Sequence, residues 1–297
     1  MRNILKGLIT VMMTAREDSG EVSKARIKTH KVSKDNGMTK ENGAILVTGS
    51  IGECAVLTRE QLEQLAQFDT PTISNAVEFF NLRPKTQGFM SPEIKSMLPI
   101  EKPMVGYACT VKVSASNSPT SEQMAMWMDY YKKIHENQGP VIAVVQDIDP
   151  VPVGSFWGEV NATTHKALGC IGTITQGGVR DLNEVNNFRF GYFASCILVS
   201  HAYIHIEEFD CPVEVGGMTV YPGDLIHADK HGAIVIPKEI APKLAEACRM
   251  AAYAEEPVIW GGRKAIESGQ KVDLEELRQW RSEMMNRKKA SIAEFSK

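Results

Sequence analysis

Three short apolar runs rich in β-branched residues, at 105–113, 141–145 and 170–175, constrain the fold of this chain more than any other feature. A strand with one wet face alternates polar and apolar residues, whereas a strand covered on both faces is apolar throughout. The run CIGTIT at 170–175 is of the second kind and reads as a buried, parallel-type strand. Between the first two runs, residues 114–121 form a polar loop. Residues 122–136 read as a helix carrying Trp127 and Tyr130 on a packed face.

The rest of the chain alternates in the same way. Thr58 with Gln61 makes a capping box ahead of a helix to residue 67, and Thr70-Pro71 opens another with proline in its first turn. A helix from 181 to about 188 leads to a strand at 196–199. Strands at 203–209, 213–215, 218–220, 224–228 and 233–236 follow, joined by a Gly216-Gly217 hairpin and a Pro222-Gly223 turn. Helices at 238–254 and 274–294 close the chain, the second capped by Asp273. Mixed strands with helices outside them make an α/β chain.

One segment gathers chemistry. A short helix at 161–168, stopped by Gly169, precedes the strand at 170–175. The Gly-rich turn Gln176-Gly177-Gly178 then delivers Val179, Arg180 and Asp181 at the carboxyl end of that strand, where ligands of open α/β sheets bind. Twenty residues separate Glu159 from Arg180. Two carboxylates and a guanidinium are the minimum kit for holding a divalent metal beside an anionic substrate, and arginine can grip a carboxylate at two points. With a helix starting near Gly158, the amides of Gly158, Glu159 and Val160 form a further anion site. A plainer reading stands beside this one. An Arg-Asp step after a turn also serves as a surface ion pair or helix cap, and a glutamate in a first turn serves the helix dipole.

Composition removes other classes. With 297 residues, 43% hydrophobic content and a formal charge of −3, the chain can bury a substantial core and offers no electrostatic footprint for nucleic acid. Six cysteines without CxxC spacing read as small buried hydrophobes of a reducing cytoplasm. No apolar run is long enough to span a membrane. Residues 1–56 carry nine Lys/Arg against six Asp/Glu and little periodicity, and read as a flexible extension, with an organelle transit peptide as the alternative. The pairs His201/His205 and His227/His231 have H-x3-H spacing, but along a strand four residues span about 13 Å, too far for one zinc ion. Neither a dinucleotide nor a phosphate-binding loop is present, and no serine sits in a nucleophile elbow.

The segment from Glu159 to Asp181 resembles the signature of the RraA-like family: an acidic residue, twenty intervening residues, then Arg-Asp. Here the acidic residue is Glu159 where aspartate is more usual. Further blocks match in order. They are LTREQLEQLAQFDTPTISNAVEFF at 57–80, MVGYACTVKV at 104–113, GPVIAVVQD at 139–147 and CPVEVGGMTVYPGDLIHADKHGAIVIPKEIA at 211–241. The likeness covers about 57–270. It implies a β/β/α swivelling-domain architecture with mixed sheets and outer helices, as a single catalytic domain over 57–297 with C-terminal helices.

The resemblance also implies an activity. The family includes metal-dependent aldolases acting on 4-hydroxy-4-methyl-2-oxoglutarate and 4-carboxy-4-hydroxy-2-oxoadipate, certain oxaloacetate decarboxylases, and a regulator of ribonuclease E. The implied chain is a cytoplasmic lyase releasing pyruvate from a small 2-oxo acid with Mg2+ or Mn2+. Asp181 is the implied metal anchor, Arg180 the grip on substrate oxygen and Glu159 the group that orients water. The amides of Gly158 to Val160 hold the other end of the substrate. A carboxylate from a neighbouring subunit, Glu255 or Glu256, completes the site in a homotrimer or hexamer. The alternative is a regulator without catalysis that docks on a ribonuclease or helicase. Two departures mark this chain: Gln176 stands where relatives commonly have aspartate, and the loop 150–157 is apolar. Its Phe156 and Trp157 read either as lid packing or as a preference for an aromatic substrate.

Overall fold

In a computed structural model the described residues are 56–296 together with, as part of a separate unit, a short antiparallel pair, β1 (Thr39–Glu41) and β2 (Ala44–Leu46). Apart from that pair, the extension expected over 1–56 lies outside the described residues. The body opens with α1 (Arg59–Leu65) and α2 (Thr70–Val77). The capping box forms as the pattern predicts: Gln61 N donates to Thr58 Oγ1 and Thr58 N to Gln61 Oε1. Next come β3 (Lys95–Ser96), β4 (Met104–Ser114), α3 (Ser121–His135), β5 (Val141–Asp147), α4 (Glu159–Ala167) and β6 (Cys170–Thr175). The middle of the chain continues with β7 (Gly178–Val179), α5 (Leu182–Asn186), β8 (Gly191–Ala194), β9 (Cys196–Ile197) and β10 (His205–Phe209). It closes with β11 (Val213–Val215), β12 (Met218–Val220), β13 (Leu225–Asp229), β14 (Gly232–Ile236), α6 (Ala241–Ser268) and α7 (Leu274–Phe295).

The main sheet runs β14-β13-β4-β5-β6-β8-β3, with β10 also on β4. Its centre, β4-β5-β6-β8, is parallel, and every flanking pair is antiparallel. One edge of β4 serves two partners. Met104 to Tyr107 pair with β13, and Val111 to Ser114 pair with β10. The result is a nearly closed mixed sheet.

Strand periodicity sorts the core. On β5, Val141, Ala143 and Val145 face the layer that holds Tyr130 and Ile134 of α3 and Ala162 of α4, while Ile142 and Val144 face the side of β11 and β12. Fully burying a side chain of this size contributes about 1.5–3 kcal/mol, so an unbroken apolar strand is stable only when both faces are covered. A third cluster joins α1 and α2 to Leu244, Ala247, Cys248 and Ala251 of α6. Both sequence-predicted turns are present. Gly216 and Gly217 take φ of 56° and 70° between β11 and β12, and Gly223 takes φ of 75° before β13.

Three of the boundary differences from the sequence-based expectation bear on the site or on the C-terminal packing. The helix expected at 161 begins at Glu159. The strand expected at 196–199 shrinks to β9, and the sheet strand is instead β8, at 191–194. Between them, Ser195 directs its hydroxyl to the carbonyls of Gln176 and Gly177 and breaks the run. The helix expected to stop at 254 continues through Pro257 to Ser268. It is held by α7, whose Trp280 lies so close to Gly261 that a Cβ there would meet the ring at 2.5 Å.

Cys109, Cys170 and Cys248 are buried free thiols whose pKa burial pushes up to about 12, as expected of inert core residues. Among the described residues no helix is long and apolar enough to cross a membrane.

Candidate functional site

The turn after β6 and the first turn of α4 meet at Gly158. A Cβ built on Gly158 would lie 2.6 Å from Asp181 Oδ2 and 3.0 Å from Arg180 Nε, so only glycine admits both side chains here. The requirement is one of space, because Gly158 itself is extended. Gly158 also explains why α4 has no cap of its own. The carboxylate of Asp181 does that work from 22 residues away, with Oδ2 accepting the Glu159 amide at 2.9 Å.

Asp181 precedes α5 in a left-handed conformation, φ 57°, and makes no side-chain cap to α5. Of the two plainer readings of Arg-Asp, the helix cap thus holds for a different helix. The ion pair is loose, with Arg180 Nε 3.7 Å from Asp181 Oδ2. Arg180 Nη1 instead donates to Val199 O at 3.3 Å, and the Arg180 amide is tied to Trp157 O at 3.0 Å. About a third of each side chain remains exposed. Asp181 Oδ1 has no protein donor among the described residues.

The backbone amides expected as an anion site are therefore divided. That of Glu159 is already engaged, whereas those of Gly158 and Val160 have no protein acceptor among the described residues. The Glu159 side chain is exposed, as is Val160.

Behind these residues lies an aromatic block. Phe156 stacks on Trp127 at 5.1 Å, and Trp157 packs on His165, Phe190 and Tyr192. Phe156 and Trp157 are core side chains, so of the two sequence readings packing holds and a direct preference for an aromatic substrate does not. The loop itself is pinned. Ser155 Oγ donates to the carbonyls of Trp157 and Gly178, and Asn161 Nδ2 to Phe156 O. His165 places Nδ1 2.7 Å from Asn161 O and Nε2 3.1 Å from the Tyr130 hydroxyl, and burial pushes its pKa down to about 4.

Sequence reasoning passed over Asp147, the last residue of β5. A Cβ on Gly177 would come within 3.0 Å of Asp147 Oδ2, so this carboxylate lies directly beneath the turn that carries Arg180 and Asp181. Burial raises its pKa to about 6, opposed by the Asp149 amide that donates to it and reinforced by the Asp149 charge. Gln176 donates Nε2 to the Asp147 carbonyl, and its Oε1 is buried without a partner among the described residues. An acidic residue closing an apolar strand was the available signal.

Glu255 and Glu256 lie apart from this end of the sheet. Their helix, α6, packs on α1, α2 and α7, where Glu255 meets Asn75 and Glu256 meets Arg287. The paired histidines are separately engaged: His205 with Glu207, His227 with Thr70 and His231 with Asp229. Among the described residues no three His, Cys, Asp or Glu side chains are grouped to hold a metal ion.

The family model described as RraA-like, Aldolase/RraA, matches residues 70–235, more than half of the chain. The chain belongs to the RraA-like family. This family contains both aldolases and RNase E inhibitors. A putative 4-hydroxy-4-methyl-2-oxoglutarate aldolase of Halalkalibacterium halodurans is 32% identical over 136 residues, covering 46% of this chain and 60% of that protein. Protein DlpA of Legionella pneumophila is 32% identical over 89 residues, 29% of this chain and 14% of DlpA. The matched segments thus span less than two thirds of either relative. Among solved structures, Streptomyces coelicolor RraAS2, described as an unusual member of the RNase ES inhibitor RraA protein family, aligns with TM-score 0.54 and 21% identity. That alignment covers 70% of this chain and 98% of RraAS2. At that identity the likeness establishes the RraA-like fold, with its nearly closed mixed sheet and outer helices.

Proposed function

We propose that this RraA-like protein is a divalent-metal-dependent lyase that cleaves 4-hydroxy-2-oxo acids of the 4-hydroxy-4-methyl-2-oxoglutarate type to pyruvate and a second 2-oxo acid. Oxaloacetate decarboxylation is the related side reaction. The observation that carries the proposal is the convergence at Gly158 of Arg180, Asp181 and the first turn of α4. The aldolase description of the Halalkalibacterium relative supports the same reading.

The donor set suits a hard cation. Asp181 offers a carboxylate oxygen without a protein donor among the described residues, and Glu159, whose amide Asp181 caps at the start of α4, offers a second carboxylate. Mg2+ and Mn2+ accept one or two carboxylates and keep several waters, whereas a structural zinc site needs four protein ligands. When bound, the ion supplies positive charge that stabilises the enolate developing as the C–C bond breaks.

The remaining work falls to the chain. Arg180, held by its amide and by Val199 O, grips a substrate carboxylate or keto oxygen. The amides of Gly158 and Val160 take the opposite end of the anion. Glu159, exposed at the helix start, accepts the proton of the 4-hydroxyl through water and returns it to the enolate carbon. Val199 is 94% exposed, Val160 80% and Ile197 60%, an apolar rim around Arg180 suited to a second copy of the chain. In such a homotrimer or hexamer a neighbour's Glu255 or Glu256 completes the carboxylate set.

The test is pyruvate release from 4-hydroxy-4-methyl-2-oxoglutarate and from oxaloacetate, with Mg2+, with Mn2+ and with chelator. Asp181→Ala and Arg180→Ala should each lose roughly 10^3-fold in kcat/KM, about 4 kcal/mol of barrier. Turnover indifferent to chelator, or variants as active as the parent chain, would overturn the mechanism. Two inert substrates would direct attention to a ribonuclease or helicase partner, sought by pull-down.

A further inference from the structure

The amino ends of the parallel strands carry a second feature. A cavity of about 530 Å3 opens where Met104 of β4, Pro140 before β5 and Ile171 of β6 come together. A neighbouring cavity of about 500 Å3, lined also by Phe190 and Gly191, shares Lys102, Met104, Ile171 and Arg189 with it. Each volume lies in the range of small-molecule sites. The two form one groove at the opposite end of β4, β5 and β6 from Asp147 and the turn bearing Arg180.

The floor of this groove is built by glycine. Met104 lies across β6 and β8 so closely that a Cβ on Gly172 would meet its sulfur at 2.4 Å and one on Gly191 at 2.1 Å. Pro103 and Leu57 extend the apolar surface. The rim is cationic. Arg59, Lys102, Lys166 and Arg189 face Glu63 and Glu101, and the carboxylates are taken by Arg59 at 2.9 Å and by Arg189 at 3.6 Å. Lys102 and Lys166 have no carboxylate partner among the described residues.

Arg189 supplies an independent observation. It follows α5 with φ of 54°, a left-handed position that glycine occupies at no steric cost and arginine does not. Its side chain is 83% exposed at the junction of both cavities, with only a loose 3.6 Å contact to Glu101, so the guanidinium is open to an incoming anion.

We propose that this groove binds an amphipathic carboxylate, with the acyl chain on Met104, Ile171 and Leu57 and the carboxylate between Lys102, Lys166 and Arg189. Arginine suits the head group because its planar fork matches a carboxylate, and the lysines add charge without fixed geometry. The proposal is independent of the lyase reading, since none of its residues lies at the carboxyl ends of the strands.

The test is calorimetric titration of the full chain with decanoate below its micelle concentration, beside decan-1-ol and inorganic phosphate. Decanoate should bind with Kd below 1 mM, and each control at least tenfold more weakly. Arg189→Gly should weaken decanoate at least tenfold while Tm is unchanged or raised, because the variant relieves the left-handed residue. Lys102→Glu with Lys166→Glu should weaken it further. Equal binding of decanol, an Arg189→Gly variant that binds as well as the parent, or no heat at 1 mM decanoate would each overturn the proposal. So would a silent titration in which the lysine variant changes the molecular mass in solution, since the groove would then be covered by another copy.

Discussion

Phe156 and Trp157 are 4% and 0% exposed, whereas Val160, three residues on, is 80% exposed and Glu159 stands in solvent beside it. The first pair packs among Trp127, His165, Phe190 and Tyr192; the second pair packs on almost nothing. Gly158 divides them. The contrast shows how exposed groups are kept in place: Arg180 and Asp181 stay about a third exposed, while the backbone beside them is tied to Trp157 and its aromatic block. A site on such a support loses little entropy on binding.

The contrast breaks most severely at Trp157. Trp157→Ala should cost about 3–5 kcal/mol of stability, read as a lower urea midpoint, because α4 and β8 then face a void. Its buried Nε1 has no partner among the described residues, so Trp157→Phe should cost much less than the alanine variant. Gly158→Ala attacks the divider itself. A methyl 2.6 Å from Asp181 Oδ2 must displace that carboxylate, and we expect pyruvate release to fall about 10^2-fold with Tm shifted by only a few degrees.

Asp147 sharpens the comparison through pH. Its folded pKa is raised to about 6, so between about pH 4 and 6 the folded state binds the proton more tightly than the unfolded chain. Its contribution to stability is therefore greatest in acid and declines as pH rises through that window. Asp147→Asn should be more stable than the parent by up to about 2 kcal/mol at pH 7 and equal to it near pH 4, measured by urea unfolding at both values. His165 runs the other way. With its folded pKa lowered to about 4, its contribution is present above about pH 6.5 and lost as pH falls toward 4. Asp147 and His165 therefore contribute opposed slopes, and Asp147→Asn removes the one that declines as pH rises. The smallest effect is expected at Val160→Ser, within about 0.5 kcal/mol in stability, with any larger change confined to the assembly state.

Much of this architecture was legible because buried strands announce themselves. β4, β5 and β6 lie close to where apolar β-branched runs predict them, and the Gly216-Gly217 hairpin follows from two residues that tolerate positive φ. Failures came where a distant residue decides a local outcome. The start of α4 has no capping side chain within reach, because its cap is Asp181, and no window centred on residue 159 contains it. Pro257 ends a helix by local rules, yet α6 continues because Trp280 of α7 packs against it. For the site, the spacing of Glu159, Arg180 and Asp181 pointed to residues that the fold brings together at Gly158, but the capping of α4 by Asp181 was not legible. Nor could composition tell that Phe156 and Trp157 face inward. Apolar character reports a preference for burial, while the side of the chain that is buried depends on the elements around it.

The shared edge of β4 also has a temporal meaning. Its partner β10 begins about 90 residues after β4 ends, and β13 lies later still. At ribosomal rates of 5–20 residues per second, that edge emerges roughly 5–20 s before anything can cover it. A nascent β4 is long, apolar and unpaired along that side, the kind of strand that recruits a stranger. The order of the strands leaves this edge open during synthesis, and slowing translation between residues 115 and 204 should increase aggregation of the newly made chain.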